Sequence, residues 1–358
     1  MKKLLTLLLF GLGFVAYSQE YEYTAPARVA NGWPTSTLSQ VSIDESIIVN
    51  AVNRVQNEPE NQIHSFLIIK NDKLVFEKYF EGYHKDKPHD LRSVTKSIIA
   101  LLVGIAIDQG LFRLDDLVEN HLDELKNAKN PDPRKSQITI RHLLTMSTGL
   151  DCNDWDKSSK GQEDKIYRKK NWIQALADLP MINEPGAKAD YCTGGVMMLA
   201  TILERKSGLT LPEFAKKHLF DPIGITNVSW GHTNKKEVIS AGKRVYMLPR
   251  DMAKLGSLLL HEGMWRGKQL ISKEWIDELH ATKTKIGVLN YSYWWWQIDF
   301  PNNGNPVTPT VATGNGGQYI MCFPEQEMVV VFTGGAFNSQ KQQMPFGIVN
   351  NFVLPALR

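Results

Sequence analysis

The fold is decided by Ser93-Val94-Thr95-Lys96 and the stretch that follows, SIIALLVGIAIDQG at residues 97–110. The tetrapeptide has the form S-x-x-K, and the stretch is apolar nearly to its end, where Gly110 follows. A helix that is apolar all round is a buried helix, and glycine commonly stands just after a helix C-terminus. The sequence therefore predicts a buried helix over residues 97–109, with a serine and a lysine at its start.

The spacing of Ser93 and Lys96 allows their side chains to meet on one face of the helix. Residues three apart lie on one face of a helix, so Lys96 reaches the Ser93 hydroxyl. The N-terminal end of the helix favours developing negative charge. Burial penalises a charged lysine and lowers its pKa, so we expect a neutral amine that acts as a base toward the Ser93 nucleophile. The alternative is a serine near a helix cap followed by a surface lysine, since buried lysines are uncommon.

A second S-x-x-K, at residues 240–243, is not followed by an apolar helix. Roughly one or two such tetrapeptides are expected by chance in a chain of this length. The context therefore favours the first tetrapeptide as the reactive one.

Two more segments carry candidate groups. In the loop PGAKADYCTGG at residues 185–195, Tyr191 is suited to proton transfer if nearby cations lower its pKa. In TGNGGQ at residues 313–318, glycines before an apolar strand allow backbone to approach a ligand closely. The N–H of Gln318 would then complete an oxyanion hole with that of Ser93. Taken singly, a packed tyrosine and a plain glycine turn explain these segments equally well; their order along the chain is more specific.

The three motifs in this order resemble the serine β-lactamase and penicillin-binding-protein-like hydrolases. The resemblance is to the class C β-lactamase-related group, with its esterases, D-aminopeptidases and 6-aminohexanoate-dimer hydrolases. It extends over ITIRHLLTMSTGLD at residues 138–151 and RDMAKLGSLLLHEGMWRGKQLISKEW at residues 250–275. The resemblance implies that Ser93 is the acylated nucleophile, Lys96 its base partner and Tyr191 the second member of the proton relay.

Two departures from the family pattern bear on substrate. The family's Y-x-N motif is Tyr191-Cys192-Thr193 here, which puts contacts of position 193 with a substrate amide carbonyl in doubt. The Lys- or His-led third motif is Asn315-Gly316-Gly317, so the cation that normally meets a penicillin carboxylate is missing. This argues against a dedicated β-lactamase or peptidoglycan carboxypeptidase and leaves neutral esters and amides open. The residues predicted to bind substrate or the oxyanion are Thr193, Asn315, Gly316, Gly317 and Gln318.

The order of predicted elements indicates an α+β fold. An antiparallel sheet built from strands near both termini is flanked by helices and carries a mainly helical insertion over about residues 111–240, within one catalytic domain at residues 19–358. Residues 152–170 are polar and form either an active-site loop or a surface excursion. Trp155, Tyr167 and Trp172, in or beside this segment, are candidates to line the pocket, but we interpret them as surface or core residues. Strands are predicted at 64–70, 73–80, 291–298, 318–323 and 328–333, and further helices at 44–55, 140–147, 195–206 and 212–219.

The N-terminus, MKKLLTLLLFGLGFVAYS, has the form of a secretory signal cleaved after Ser18. A membrane anchor is the alternative, but its apolar run is shorter than the roughly 20 residues that span a bilayer. We therefore predict a secreted or periplasmic protein without stable membrane insertion. The cysteines Cys152, Cys192 and Cys322 are compatible with one disulfide and a free thiol or with three unpaired thiols.

Composition limits the partners. Lys and Arg number 41 against 38 Asp and Glu, a net charge of +3 that is too balanced for nucleic-acid binding. No C-x-x-C or H-E-x-x-H motif supports a metal site, and no cofactor is expected.

The predicted function is a secreted serine hydrolase that cleaves a small-molecule ester or amide through an acyl-enzyme. The alternatives are a catalytically weak or inactive binding or regulatory protein of the same fold, and a true β-lactamase or D-Ala-D-Ala carboxypeptidase. The presence of Ser93, Lys96 and Tyr191 together favours an enzyme, because a binding protein does not need all three.

Overall fold

A computed structural model describes residues 21–28, 33–58, 60–231 and 244–358. The predicted signal segment and the second S-x-x-K tetrapeptide lie outside the described residues. Within those ranges, no helix is both long and apolar enough to cross a bilayer.

Eight of the strands in the described residues form one antiparallel sheet, in which strands from both ends of the chain pair with each other. The N-terminal hairpin turns at Asn71 and Asp72, whose φ angles of 49° and 59° suit a two-residue type I′ turn. Its first strand pairs with the last strand of the chain, with Phe66 opposite Phe332. In sheet order the strands are β2 (Lys73–Tyr79), β1 (Ile63–Lys70), β13 (Met328–Gly334), β12 (Gln318–Phe323), β11 (Thr310–Gly314), β10 (Trp296–Gln297), β9 (Leu289–Tyr291) and β8 (Thr284–Ile286).

The predicted α+β fold, with a sheet built from the two ends of the chain, is confirmed. Five short strands lie outside the large sheet: β3 (His89–Asp90), β4 (Val228–Trp230) and β5 (Val245–Met247) form one small sheet, and β6 (Met264–Trp265) pairs with β7 (Lys268–Gln269).

Helix α2 (Val94–Asp108) is buried over nearly its whole length. It packs on strands β11 and β12, which lie inside the large sheet, and on helix α7 (Thr193–Ser207). Gly104 makes room for helix α10, since a Cβ there would lie 2.2 Å from the Trp275 ring, and the indole N–H donates to the Ala100 carbonyl at 3.0 Å. The helices are α1 (Glu45–Gln56), α2 (Val94–Asp108), α3 (Asp123–Lys126), α4 (Ile140–Leu144), α5 (Glu163–Tyr167), α6 (Trp172–Ala177), α7 (Thr193–Ser207), α8 (Leu211–Ala215), α9 (Pro249–Leu260), α10 (Lys273–His280) and α11 (Met344–Ile348).

Helices α3 to α8 all lie in the segment predicted as a helical insertion over residues 111–240, with long non-helical stretches between them. Strand β4 also falls inside that range, because it pairs with β5 beyond the insertion. Residues 232–243 lie outside the described residues, so the upper boundary of the insertion stays a prediction.

The single strand predicted over residues 291–298 is wrong. The structure has two strands, β9 and β10, which fold back on each other with Tyr291 opposite Trp296. The turn between them holds Trp294 at a φ angle of 63°, and the Ser97 hydroxyl donates to its carbonyl at 2.6 Å. The aromatic run is buried on both sides of the turn, so its apolar character reflects burial rather than an extended backbone.

Candidate active site

Ser93 is the N-cap residue of α2, but its side chain does not cap the helix. Its hydroxyl oxygen instead accepts a hydrogen bond from Nζ of Lys96 at 3.1 Å. Lys96 is only 5% exposed, because α2 is enclosed by the sheet and by other helices. The predicted pair of a serine and a buried lysine is therefore formed within one turn of one helix.

The backbone just before Ser93 adopts an uncommon conformation. Arg92 has a φ angle of 50°, and its N–H donates to Oδ1 of Asp90 at 3.1 Å. In the part of the chain that the structure describes, the Ser93 N–H has no hydrogen-bond acceptor. An unpaired N–H at this place is available to a substrate oxygen, as an oxyanion hole requires.

Tyr191 lies against the pair from a different segment of the chain. The ring centroid is 5.2 Å from Nζ of Lys96, and the phenol raises the pKa of that lysine. The Tyr191 carbonyl accepts the N–H of Asp154 at 2.8 Å, which fixes the backbone at this point. The structure thus brings together Ser93, Lys96 and Tyr191.

A disulfide joins Cys152 to Cys192, with the two Cα atoms 5.4 Å apart, while Cys322 is a buried free thiol in β12. One disulfide and a free thiol is the first of the two arrangements that the sequence left open. Because Cys192 follows Tyr191 directly, the bridge ties the polar segment at residues 152–170 to the site. From the sequence, residues 152–170 form either an active-site loop or a surface excursion. Their place beside Tyr191 agrees with an active-site loop.

Two carboxylates, which sequence reasoning missed, lie beside Lys96. Oδ2 of Asp154 accepts both the N–H and the hydroxyl of Thr193, at 2.7 and 2.6 Å. The same hydroxyl is 3.3 Å from Oε2 of Glu163, which also accepts the Tyr167 hydroxyl at 3.2 Å. Thr193 is fully buried, and its hydroxyl is committed to this pair. The polar loop has no periodicity that could have indicated either carboxylate.

The carboxylates reverse the predicted charge state of Lys96. Burial lowers the pKa of Lys96, but the negative charges of Tyr191, Glu163 and Asp154 outweigh burial and hold it above its ordinary value. The expectation of a burial-lowered lysine pKa is therefore wrong, because the loop places acidic groups where the sequence showed none. Burial also raises the pKa of Asp154 to about 6, with Lys96 acting in the opposite direction.

The glycine motif lies at the turn between β11 and β12. Gly316 and Gly317 have φ angles of 95° and 98°, which glycine adopts far more easily than other residues. A Cβ on Gly314 would lie 2.5 Å from the Leu91 carbonyl oxygen, so the end of β11 packs closely on the backbone that leads into Ser93. The third motif thus lies next to the nucleophile.

The polar side chains of this motif are engaged within the protein. The Asn315 carboxamide exchanges two hydrogen bonds of 2.8 Å with Asn338, one from its own Nδ2 and one from the Asn338 N–H. The side-chain amide of Gln318 donates from Nε2 to the Gly334 carbonyl at 2.6 Å, and Gln318 is fully buried. A contact between Gln318 and a substrate therefore uses its main chain.

Aromatic side chains surround Tyr191. Its ring is stacked on that of Trp155, at 5.0 Å between centroids and 6° between planes, and both lie near Trp296. Trp155 is 62% exposed, yet it belongs to the site, unlike the surface or core role expected from sequence. Trp172 is buried as expected. In the described residues, no group of three or more His, Cys, Asp or Glu is arranged to hold a metal ion.

Comparison with known proteins agrees with this geometry. The chain is 21% identical over 337 residues to a 6-aminohexanoate-dimer hydrolase of Paenarthrobacter ureafaciens, an alignment that covers 88% of this chain and 83% of the relative. It is 27% identical over 188 residues to the lovastatin esterase of Penicillium rubens, covering 48% and 46%.

A solved structure, described as a putative 6-aminohexanoate-dimer hydrolase from Bacillus anthracis, shares the fold with a TM-score of 0.68 and 23% identity, covering 83% of this chain and 81% of that one. Residues 60–346 match the family model described as Beta-lactamase. The chain therefore belongs to the Beta-lactamase family of serine hydrolases, whose members similar to it include an esterase and an amide hydrolase.

Proposed function

We propose that the protein hydrolyses neutral esters or amides through an acyl-enzyme on Ser93. The observation that carries this proposal is the hydrogen bond from the buried Lys96 to a serine hydroxyl that caps no helix. A merely structural serine at this position would be expected to accept a backbone N–H of the first turn.

The pair Lys96 and Tyr191 supplies the proton relay. Ser93 Oγ forms a bond to the substrate carbonyl carbon, and its proton passes to the relay and then to the departing alcohol or amine. Water next attacks the acyl-enzyme and releases the acid. The relay can accept a proton only when the pair of Lys96 and Tyr191 has already lost one. The pair is then either a neutral Lys96 amine beside a Tyr191 phenol or a Lys96 ammonium beside a Tyr191 phenolate. The raised pKa of Lys96 therefore makes activity increase with pH.

The substrate class follows from the neutral residue at the third motif. A charge-assisted hydrogen bond is about twice as strong as a neutral one, so a carboxylate that meets Asn315 binds weakly. Neutral acyl groups do not need a cation there. The names of two relatives, a 6-aminohexanoate-dimer hydrolase and a lovastatin esterase, support hydrolysis of an amide or ester bond.

We also propose that the protein is exported. The signal-like N-terminus supports this proposal, as does the bridge between Cys152 and Cys192, since disulfides persist in oxidising compartments. Intact mass of the protein from the periplasm or medium of expressing cells should show a chain that begins at residue 19. A chain that retains its N-terminus and stays with the membrane would contradict export.

Labelling with a fluorophosphonate tests the catalytic proposal. The wild-type protein should gain one covalent adduct by intact mass, and peptide mapping should place it on Ser93. Ser93→Ala should fold normally, lose the adduct and lose all measurable hydrolysis of short-chain esters. An adduct on Ser240 would redirect the assignment. Absence of both labelling and ester hydrolysis in the wild-type protein would support the non-catalytic alternative.

A further inference from the structure

We propose that Trp155 determines specificity: its exposed indole binds a flat apolar group, such as an aromatic ring, on the ester or amide substrate. The proposal rests on the proposed function, because the group that Trp155 binds belongs to the substrate that Ser93 attacks.

The exposure of Trp155 leaves one face of its ring open. One face is stacked on Tyr191, nearly parallel, at a centroid distance of 5.0 Å. A side chain that is 62% exposed cannot have its second face covered as well. Trp296, at 6.3 Å and 14°, continues the aromatic surface but is itself only 6% exposed. The open surface offered to a ligand is therefore the indole of Trp155.

The indole is held in place before any substrate binds. The main-chain N–H of Trp155 donates to Oδ1 of Asn153 at 2.9 Å, and the side-chain amide of Asn153 donates to Oδ1 of Asp190 at 3.2 Å. These bonds fix the backbone that carries the indole, and stacking on Tyr191 orients the ring. The disulfide from Cys152 to Cys192 fixes the same turn from its other side. A pre-organised aromatic surface loses little conformational entropy when it binds a ligand.

The position relative to the chemistry links this surface to substrate. Tyr191, the residue under the indole, also contacts Lys96, which in turn donates to the nucleophile. A group stacked on Trp155 is thus one ring away from the proton relay. Aromatic rings stack in the offset geometry that this open face permits.

A second exposed aromatic borders the site at the glycine motif. Phe337 is 40% exposed, and its ring is so close to Gly316 that a Cβ there would lie 2.5 Å away. The guanidinium of Arg92 stacks on Phe337 at 4.4 Å, next to the nucleophile. Both borders of the reacting serine therefore present aromatic surface to a substrate.

The test uses three esters: ethyl acetate, benzyl acetate with an aromatic alcohol, and ethyl phenylacetate with an aromatic acid. Hydrolysis is followed by proton release. In Trp155→Ala, KM for at least one aromatic ester should rise about tenfold, equivalent to about 1.4 kcal/mol, with kcat changed less than about threefold. The rise in KM for ethyl acetate should be smaller, because neither its acetyl nor its ethyl group can stack on the indole. Trp155→Phe, which keeps a ring, should recover most of the loss.

Trp265→Ala is the matched control, since Trp265 is a partly exposed tryptophan that contacts Trp33 and Arg266. It should leave the ratio of aromatic to small ester unchanged. If Trp155→Ala lowers kcat for all three esters equally, the residue only positions Tyr191 and the proposal is wrong. An unchanged ratio in Trp155→Ala also overturns it.

Binding separates this proposal from the proposed function. In Ser93→Ala, which cannot turn over, calorimetry should show benzyl acetate or ethyl phenylacetate binding about tenfold more tightly than in the double variant Ser93→Ala/Trp155→Ala. If the wild-type protein hydrolyses no ester but this difference is present, the proposed function fails while the aromatic subsite stands. Equal binding by the two variants overturns the subsite whether or not the protein is a hydrolase.

Discussion

The two halves of the catalytic site are assembled in different ways. Ser93 and Lys96 lie within one turn of α2, so their contact follows from local helix geometry. Tyr191, Asp154 and Glu163 lie far along the chain from Ser93 and Lys96 and meet them only through the fold. The first half is visible in a tetrapeptide, whereas the second half needs the structure.

The difference also affects the chemistry. The helix alone would give a buried lysine with a lowered pKa, because burial disfavours its charge. The loop adds two carboxylates, and the pKa of Lys96 becomes raised instead. The local half therefore supplies the reacting atoms, and the distant half sets their protonation state.

The largest expected effect comes from breaking the relay between the two halves. Lys96→Ala and Tyr191→Phe should each lower kcat for esters at least about a hundredfold, the usual contribution of general acid–base catalysis. The double variant should be little worse than the poorer single variant, because members of one relay are not additive. Steady-state kinetics of all three proteins checks this, and additive losses would indicate that the two residues act independently.

Removing the disulfide between Cys152 and Cys192 should have a smaller effect on activity. For Cys152→Ser/Cys192→Ser, whose bridge spans a sequence separation of 40, the free energy of unfolding should fall by about 2–4 kcal/mol in urea. Ester turnover should fall about tenfold, roughly 1.4 kcal/mol, because the loop that carries Asp154 is released. Cys322→Ala is the control because it removes the free thiol and keeps the bridge. Dithiothreitol should lower the activity of this variant and of the wild type about tenfold, and it should not affect the double variant. If activity is undiminished without the bridge, then the loop at residues 152–170 keeps its conformation without the disulfide.

A change at the glycine motif should affect only charged substrates. Asn315→Lys should lower KM for a chromogenic cephalosporin at least about threefold, since it restores a charge-assisted partner for the carboxylate. The kinetics of neutral esters should not improve, and Asn315→Gln should resemble the wild type with both substrates. A wild-type protein that hydrolyses cephalosporins as fast as its best ester would refute this account of position 315.

The smallest effect is a shift in pH dependence. Ionised carboxylates favour the charged form of Lys96, so Asp154→Asn and Glu163→Gln should move the rising limb of kcat/KM toward lower pH. The difference between wild type and Asp154→Asn should exist above pH about 6, where Asp154 is ionised, and disappear below it. A pH profile of each variant measures this. If the rising limb of kcat/KM lies at the same pH in the wild type and both variants, the carboxylates do not affect the pKa of Lys96.

Much of the fold could be predicted because its signals are local. The turn at Asn71 and Asp72 and the apolar stretch of α2 each indicate one structure within a few residues. The aromatic run at residues 291–298 was wrongly predicted as one strand, because a buried apolar run has no periodicity that marks a reversal.

The candidate site divides in the same way. Ser93, Lys96 and Tyr191 were identified from motifs with set spacing and order. Asp154 and Trp155 were missed because they lie in a polar loop whose place depends on a disulfide, and the pairing of three cysteines cannot be deduced from their spacing.

The pairing of β1 with β13 has a consequence for synthesis. These strands are the second and third of the eight in the large sheet, and Phe66 and its partner Phe332 stand near opposite ends of the chain. A contact between such distant residues forms late, because a long loop must close first. Until β13 has left the ribosome, the N-terminal hairpin has an unpaired edge and is not joined to the rest of the sheet. The growing chain therefore stays incompletely folded through most of translation, which is the state that a protein needs in order to thread through an export channel.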